Sequence, residues 1–61
     1  MTLEEFKNVK WHTGMTALYD GNWYHIASAD FQEFLIALDG VVSGSDEPSW
    51  VRCENVESID D

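Results

Sequence analysis

Apolar and polar side chains alternate with the two-residue period of β-strands through most of the chain after Gly14. Four segments carry this alternation or a short unbroken apolar run, and a fifth, brief one follows near the end. The predicted strands are residues 15–19, 23–29, 34–38, 50–53 and 56–59, and the continuous run at 34–38 is placed at the centre of the sheet. Five short strands at this spacing predict an all-β, bent, partly closed barrel rather than an open sheet.

Turn residues separate the predicted strands. Asp20-Gly21-Asn22 predicts a hairpin, because glycine accepts a positive φ without steric penalty. Residues 30–33 predict a turn or one helical turn capped by Asp30, and Asp39-Gly40 ends the third strand. Glu54-Asn55 suits a tight turn or a 3₁₀ turn. Residues 42–49 form the clearest predicted loop, with glycine, serines, acids and the only proline.

The N-terminal segment permits two structures. Thr2 as N-cap and Glu5 three residues later have the spacing of a capping box, which predicts a short helical turn within residues 2–8. Residues 8–12 fit a strand equally well, with Val9 and Trp11 on one side. We therefore treat residues 1–61 as one domain, with residues 1–13 as an arm or first strand and residues 14–60 as the barrel.

The chain is short, so large side chains must carry its stability. A domain of this length buries only about 60% of the surface that its unfolded form exposes. Each aromatic side chain can bury on the order of 150–250 Å², and the sequence has eight: Phe6, Trp11, Tyr19, Trp23, Tyr24, Phe31, Phe34 and Trp50. The strand pattern predicts these core members: Leu18, Ile26, Leu35, Ile36, Val51, Val56 and Ile59.

The run from Ala17 to Ile26 resembles the first hairpin of SH3-like barrels of the Tudor type. In those domains an alanine and a strand often precede an Asp-Gly turn, and Trp-Tyr opens the next strand. Residues 50–56, followed by Ile59, are similar to the late strand, 3₁₀ turn and short last strand. The resemblance covers roughly residues 14–60 and implies a small five-stranded SH3-like barrel, like many small bacterial or phage proteins.

Tudor-type domains often bind methylated lysine or arginine in an aromatic cage, since ring faces attract a desolvated cation. The resemblance implies that Tyr19 and Trp23 flank such a cage. The family usually places an aromatic residue just after the aspartate of the third strand. Here Gly40 follows Asp39, so the sequence departs from the cage pattern at that position.

The charge balance excludes several partners. The sequence has twelve aspartate and glutamate residues and only three lysine and arginine residues, Lys7, Lys10 and Arg52, which gives a formal charge of −9. Duplex binding requires cations that replace phosphate counterions, and anionic membranes select basic surfaces. We therefore expect neither nucleic acid nor membrane as a partner, and a protein or basic peptide instead.

The remaining chemistry argues for binding rather than catalysis. Cys53 is the only cysteine, which favours a reducing, cytoplasmic compartment; an acidic N-terminus also differs from a secretory signal. His12, His25 and Cys53 lack zinc-site spacing, and Ser43-Gly44-Ser45 lacks the pattern of a nucleophile elbow. We expect no enzyme activity, no metal and no cofactor.

Three functions fit these features. The first is an acidic protein-binding module with an exposed aromatic patch drawn from Trp11, Tyr19, Trp23 and Trp50, because tryptophan and tyrosine are enriched at binding hot spots. The second is an acidic decoy that mimics nucleic acid and occupies the basic groove of an enzyme. The third is a structural subunit that completes its core as a homodimer.

The charge gives a direct prediction. The domain is expected not to retard a random DNA or RNA duplex in gel-shift assays at physiological salt, because three cations cannot displace enough counterions. Retardation at micromolar concentration in that buffer would contradict the charge argument.

Overall fold

The computed structural model describes residues 1–60 and contains one short α-helix, five β-strands and one 3₁₀ turn. The predicted all-β class with five strands is confirmed. The elements run in chain order as α1 (Leu3–Asn8), β1 (Thr16–Tyr19), β2 (Asn22–Asp30), β3 (Leu35–Asp39), β4 (Ser49–Arg52), the 3₁₀ turn (Cys53–Asn55) and β5 (Val56–Asp60).

All four strand pairings are antiparallel, and the order across the sheet is β4-β3-β2-β1-β5. The predicted run at 34–38 forms an interior strand, β3, but the central strand is β2. The two edge strands, β4 and β5, are consecutive in sequence and are joined only by the 3₁₀ turn.

This connection forces the sheet to curl. In a flat sheet the edge strands would lie about 19 Å apart, which is four spacings of about 4.8 Å. The four steps from Arg52 to Val56 span at most about 14 Å when fully extended, and a 3₁₀ turn spans less. The sheet is therefore curled, although no ladder joins β4 to β5 within residues 1–60.

The first hairpin closes through Asp20 and Gly21, which have φ of 50° and 80°. Positive φ at both central residues is the geometry of a type I′ turn, whose twist matches that of the flanking strands. Tyr19 and Asn22 pair directly across this turn. The loop therefore has two residues rather than the three predicted, and it fixes which side chains lie opposite each other on β1 and β2.

A bulge in β2 changes which side chains share a face. The register with β3 shifts between Ile26 and Ser28, so Ala27 has no partner. Simple alternation along residues 23–29 would put Tyr24, Ile26 and Ser28 on one face, and this holds only as far as Ile26. Beyond the bulge, Ala29 packs against the core.

The turn between β2 and β3 is confirmed. The Asp30 carboxylate accepts hydrogen bonds from the backbone N–H groups of Gln32 and Glu33, at 2.8 and 3.1 Å. Phe34 ends the turn with φ of 60°, a conformation that is unusual for a bulky residue. Its carbonyl oxygen accepts a hydrogen bond of 3.0 Å from the Cys53 N–H, which ties the turn to the 3₁₀ turn.

The predicted capping box at the N-terminus is also confirmed. The Glu5 N–H donates to the Thr2 hydroxyl and the Thr2 N–H donates to the Glu5 carboxylate, at 3.1 and 3.0 Å. The alternative strand at residues 8–12 is wrong, because the helix extends to Asn8 and an irregular segment follows. No helix among the described residues is long and apolar enough to span a membrane.

The core lies inside the curl of the sheet, beneath α1. Ile36 and Val56 are buried as predicted, and Ile26, Val51 and Ile59 are half-buried against the core. The prediction that Leu18 and Leu35 are core members is wrong. Their neighbours Ala17 and Ile36 face the core, and both leucines point to the opposite side of the sheet. The fully buried side chains are Phe6, Met15, Ala17, Ile36, Ala37, Leu38, Cys53 and Val56.

Phe6 is the main contribution of α1 to the core. Its ring is fully buried, and its centroid lies 5.3 Å from that of Trp11, 5.5 Å from Phe31 and 5.8 Å from Phe34. A phenylalanine from the helix thus joins three aromatic rings to the aliphatic interior of the sheet.

Replacing Phe6 with alanine should destabilise the domain by about 3–5 kcal/mol, because a fully buried ring would leave a cavity. Such a loss is large for so small a domain, and urea denaturation followed by circular dichroism would show it. Phe31→Ala is the matched control, since Phe31 contacts the same cluster but is 60% exposed. Equal losses in the two variants would contradict the role given to Phe6.

Candidate functional site

Two tryptophans stand on the face of the sheet opposite the core, which we call the outer face. Trp23 pairs with Leu18 and Trp50 pairs with Ala37. Successive strand residues point to opposite faces, and the neighbouring Ala17, Ile36 and Leu38 belong to the core. Trp23 and Trp50 are 52% and 50% exposed. Both rings therefore present apolar surface to solvent.

Other apolar side chains accompany them on the outer face. Leu18 and Leu35 are half-buried there, and Ala37 is fully buried although no helix crosses this face. The register neighbours of Ala37 are Trp50 on β4 and Ser28 on β2. The two tryptophans stand on strands separated by β3. The outer face therefore carries two apolar spots, Leu18 with Trp23 and Ala37 with Trp50.

Trp11 has a different environment. Its ring lies 5.3 Å from that of Phe6 and 6.2 Å from that of Phe31, and it packs against the core as a partly buried residue. Its indole nitrogen is buried and has no hydrogen-bond partner. Trp11 also borders a cavity of about 340 Å³ beside the β2 bulge, together with His12 and Ala27. Trp11 thus differs from Trp23 and Trp50 in that its ring packs against the core.

Tyr19 lies on the core side of β1. Its ring is half-buried and tilted at 59° against Tyr24, with the centroids 6.4 Å apart. Trp23 is one residue away from Tyr24 and therefore projects from the opposite face. Tyr24 also approaches the end of β3, where a Cβ at Gly40 would lie 3.9 Å from its ring. The Tudor-type resemblance implies that Trp23 lies beside Tyr19. In the structure the ring beside Tyr19 is instead that of Tyr24.

The four aromatic side chains predicted to bind a partner therefore occupy different places. Trp23 and Trp50 share the outer face, while Trp11 and Tyr19 pack against the core. The sequence reasoning missed Leu18 as a surface neighbour of Trp23. The two-residue turn at Asp20 and Gly21 contains that information, because it sets Leu18 directly opposite Trp23.

A groove of about 440 Å³ opens between α1 and β5, and we call it the α1–β5 groove. Its apolar lining comes from Met1, Val9 and Ile59, and its polar lining is Glu4, Glu5, Asn8, Glu57 and Ser58. No lysine or arginine lines it. Glu4 and Glu5 lie near the start of the sequence and Glu57 near its end. The fold brings all three carboxylates to the same groove.

The capping box favours the ionised form of Glu5. Hydrogen bonds from the Thr2 backbone and side chain lower the pKa of the Glu5 carboxyl. Such bonds favour the charged form of a carboxyl group. The Glu5 carboxylate therefore keeps its charge to a lower pH than an ordinary glutamate would.

Cys53 has no feature of a reactive thiol. Its side chain is fully buried, and burial raises its pKa, with a further contribution from the neighbouring Glu54 carboxylate. Glu54 also forms a salt bridge of 3.2 Å with Arg52, and both side chains are well exposed. A neutral buried thiol is a poor nucleophile and a poor metal ligand.

Residues with metal-binding side chains are dispersed. Among residues 1–60, no group of three or more histidine, cysteine, aspartate and glutamate side chains has a geometry that could hold a metal ion. His25 is exposed on β2 and stands between Thr16 and Asp39 in the strand registers.

No protein-family model matches the sequence, and comparison with curated proteins and with solved structures gives no significant match. The candidate sites must therefore be judged on their geometry and chemistry.

Proposed function

We propose that this domain is a small protein-binding module, and that the outer face with Trp23 and Trp50 is its binding surface. The observation that carries the proposal is the half exposure of both indoles on the face of the sheet opposite the core. Exposing two large aromatic rings does not help a small domain to fold, whereas tryptophan is the residue most enriched at binding hot spots.

We further propose that the fold is an SH3-like barrel. Three features support this: the return of β5 to pair with β1, the 3₁₀ turn before it, and the curl that this connection imposes. The Asp-Gly hairpin is the fourth feature in common with the Tudor-type resemblance. Fold alone does not assign a ligand, so the choice of binding surface rests on the exposed side chains.

The partner we propose is a protein. Two indoles and the neighbouring leucines offer apolar contact area in two spots, and the acidic charge of the chain favours a partner with basic groups nearby. The sequence also suggests Trp11 and Tyr19 as partner contacts. Both pack against the core, so we assign them to the stability of the fold and not to the binding surface. The buried Cys53 suits a reducing compartment, and we place the domain in the cytoplasm.

The proposal predicts the effect of single substitutions on partner binding. A partner is first captured from a lysate of the native host and identified, and its affinity is then measured by calorimetry. Trp23→Ala or Trp50→Ala should weaken binding by about 30-fold or more, the loss of about 2 kcal/mol typical of a hot spot. The matched control is Val42→Ala, because Val42 is 56% exposed but lies in the loop before β4.

The salt dependence separates this function from the two alternatives. Binding through the indoles should weaken only modestly between low and high salt. A decoy for a basic groove would lose affinity steeply, because salt screens charge attraction. A concentration-dependent dimer in sedimentation, lost in Trp23→Ala or Trp50→Ala, would favour the homodimer and contradict the proposal.

A further inference from the structure

We propose that the α1–β5 groove binds an extended basic segment of a partner protein, which adds as a sixth strand to the free edge of β5. This second surface lies at the edge of β5, where Ser58 of its lining pairs with Leu18 of the outer face. The proposal does not depend on the role proposed for Trp23 and Trp50.

The sheet edge supplies the backbone groups for such binding. β5 is the last strand in the order β4-β3-β2-β1-β5, so within residues 1–60 only one of its two edges has a neighbouring strand. The Val56 carbonyl at the start of β5 already accepts a hydrogen bond from the Met1 ammonium, so the peptide would pair with the residues that follow it. α1 packs on the 3₁₀ turn that precedes β5 and leaves the groove open beside Glu57, Ser58 and Ile59. An extended peptide on an open edge gains affinity from main-chain hydrogen bonds and specificity from alternate side chains.

The groove has a size and a lining that suit a bound chain. Its volume of about 440 Å³ lies within the range of about 300–1,000 Å³ that ligand sites occupy. Met1, Val9 and Ile59 offer apolar contacts for the aliphatic side chains of the peptide. The alternate side chains of the same peptide would meet carboxylates, so its sequence should alternate apolar and basic residues.

The negative charge of the groove favours a basic peptide segment over a second copy of this domain. Glu4, Glu5 and Glu57 line it, and the one cation among its described lining residues, the Met1 ammonium, donates to the Cys53 and Val56 carbonyl oxygens. Three carboxylates therefore outnumber one ammonium, and the chain as a whole carries −9. A second copy of this domain that paired β5 with β5 would bring glutamates close to glutamates, which is unfavourable for directly opposed like charges. A basic segment satisfies the same carboxylates and is drawn towards them by long-range attraction.

The test uses a defined probe, a six-residue peptide of alternating lysine and valine with blocked termini. Titration into the isotope-labelled domain should give saturable chemical-shift changes at residues 57–60 and along α1. A second peptide with glutamate in place of lysine should not bind. A third, with every backbone amide methylated so that neither edge of the peptide can donate hydrogen bonds, should bind at least about ten-fold more weakly.

Variants test the carboxylates. Glu4→Gln and Glu57→Gln should each weaken the lysine peptide about two- to five-fold, the range expected for exposed ion pairs. Glu47→Gln is the matched control, because Glu47 is an exposed glutamate in the loop before β4. Glu5 is left unchanged, since its carboxylate also closes the capping box.

Several results would overturn this proposal. One is equal loss of affinity in Glu47→Gln, and another is undiminished binding of the methylated peptide. Shifts centred on Trp23 and Trp50 would assign the peptide to the outer face and likewise contradict the groove. Because none of these results involves the outer-face variants, failure here is distinguishable from failure of the function proposed above.

Discussion

The structure depends on the insertion of one side chain, Phe6, into the curl of the sheet. The short link between β4 and β5 forces the curvature, and the inner surface of β1 is then lined by a residue as small as Ala17. A ring from outside the sheet is needed to fill the interior at the density of a protein core. Phe6 provides it, and the capping box starts the helix that carries it.

This packing also determines which surfaces remain for partners. Trp11, Phe31 and Phe34 surround the ring of Phe6, and the Lys7 ammonium lies 5.7 Å from the centre of the Phe34 ring. The inner side of the sheet is therefore closed by the chain itself. Among the surfaces that stay accessible are the outer face, with its exposed indoles, and the open edge of β5 beside α1.

Local sequence signals predicted the parts of this fold that local chemistry decides. Thr2 and Glu5 identified the helix start, and Asp20-Gly21-Asn22 identified the hairpin. Glu54-Asn55 indicated a tight turn or a 3₁₀ turn, and the structure has a 3₁₀ turn that begins one residue earlier, at Cys53. The assignment of faces was less accurate. The run Leu35–Leu38 is apolar throughout, so it contains no alternation from which to choose a core side. The bulge at Ala27 has no glycine or proline to mark it.

The candidate site was predicted only in part, because local sequence does not determine which side chains are exposed. Composition identified the aromatic residues, but their exposure depends on tertiary contacts. Trp11 follows a helix, and only the position of Phe6 within the fold determines that the Trp11 ring packs against the core. Glu57 and Glu4 are far apart in sequence, and the pairing of β5 with β1 is required before they line one groove.

If the chain closes its core from within and leaves two indoles for binding, the three indole N–H groups differ in exposure. NMR line broadening with a soluble gadolinium complex measures that exposure. We expect strong broadening of the Trp23 and Trp50 signals and protection of Trp11, whose indole nitrogen is buried. Broadening of Trp11 to the same extent as the other two would show that its ring does not close the core.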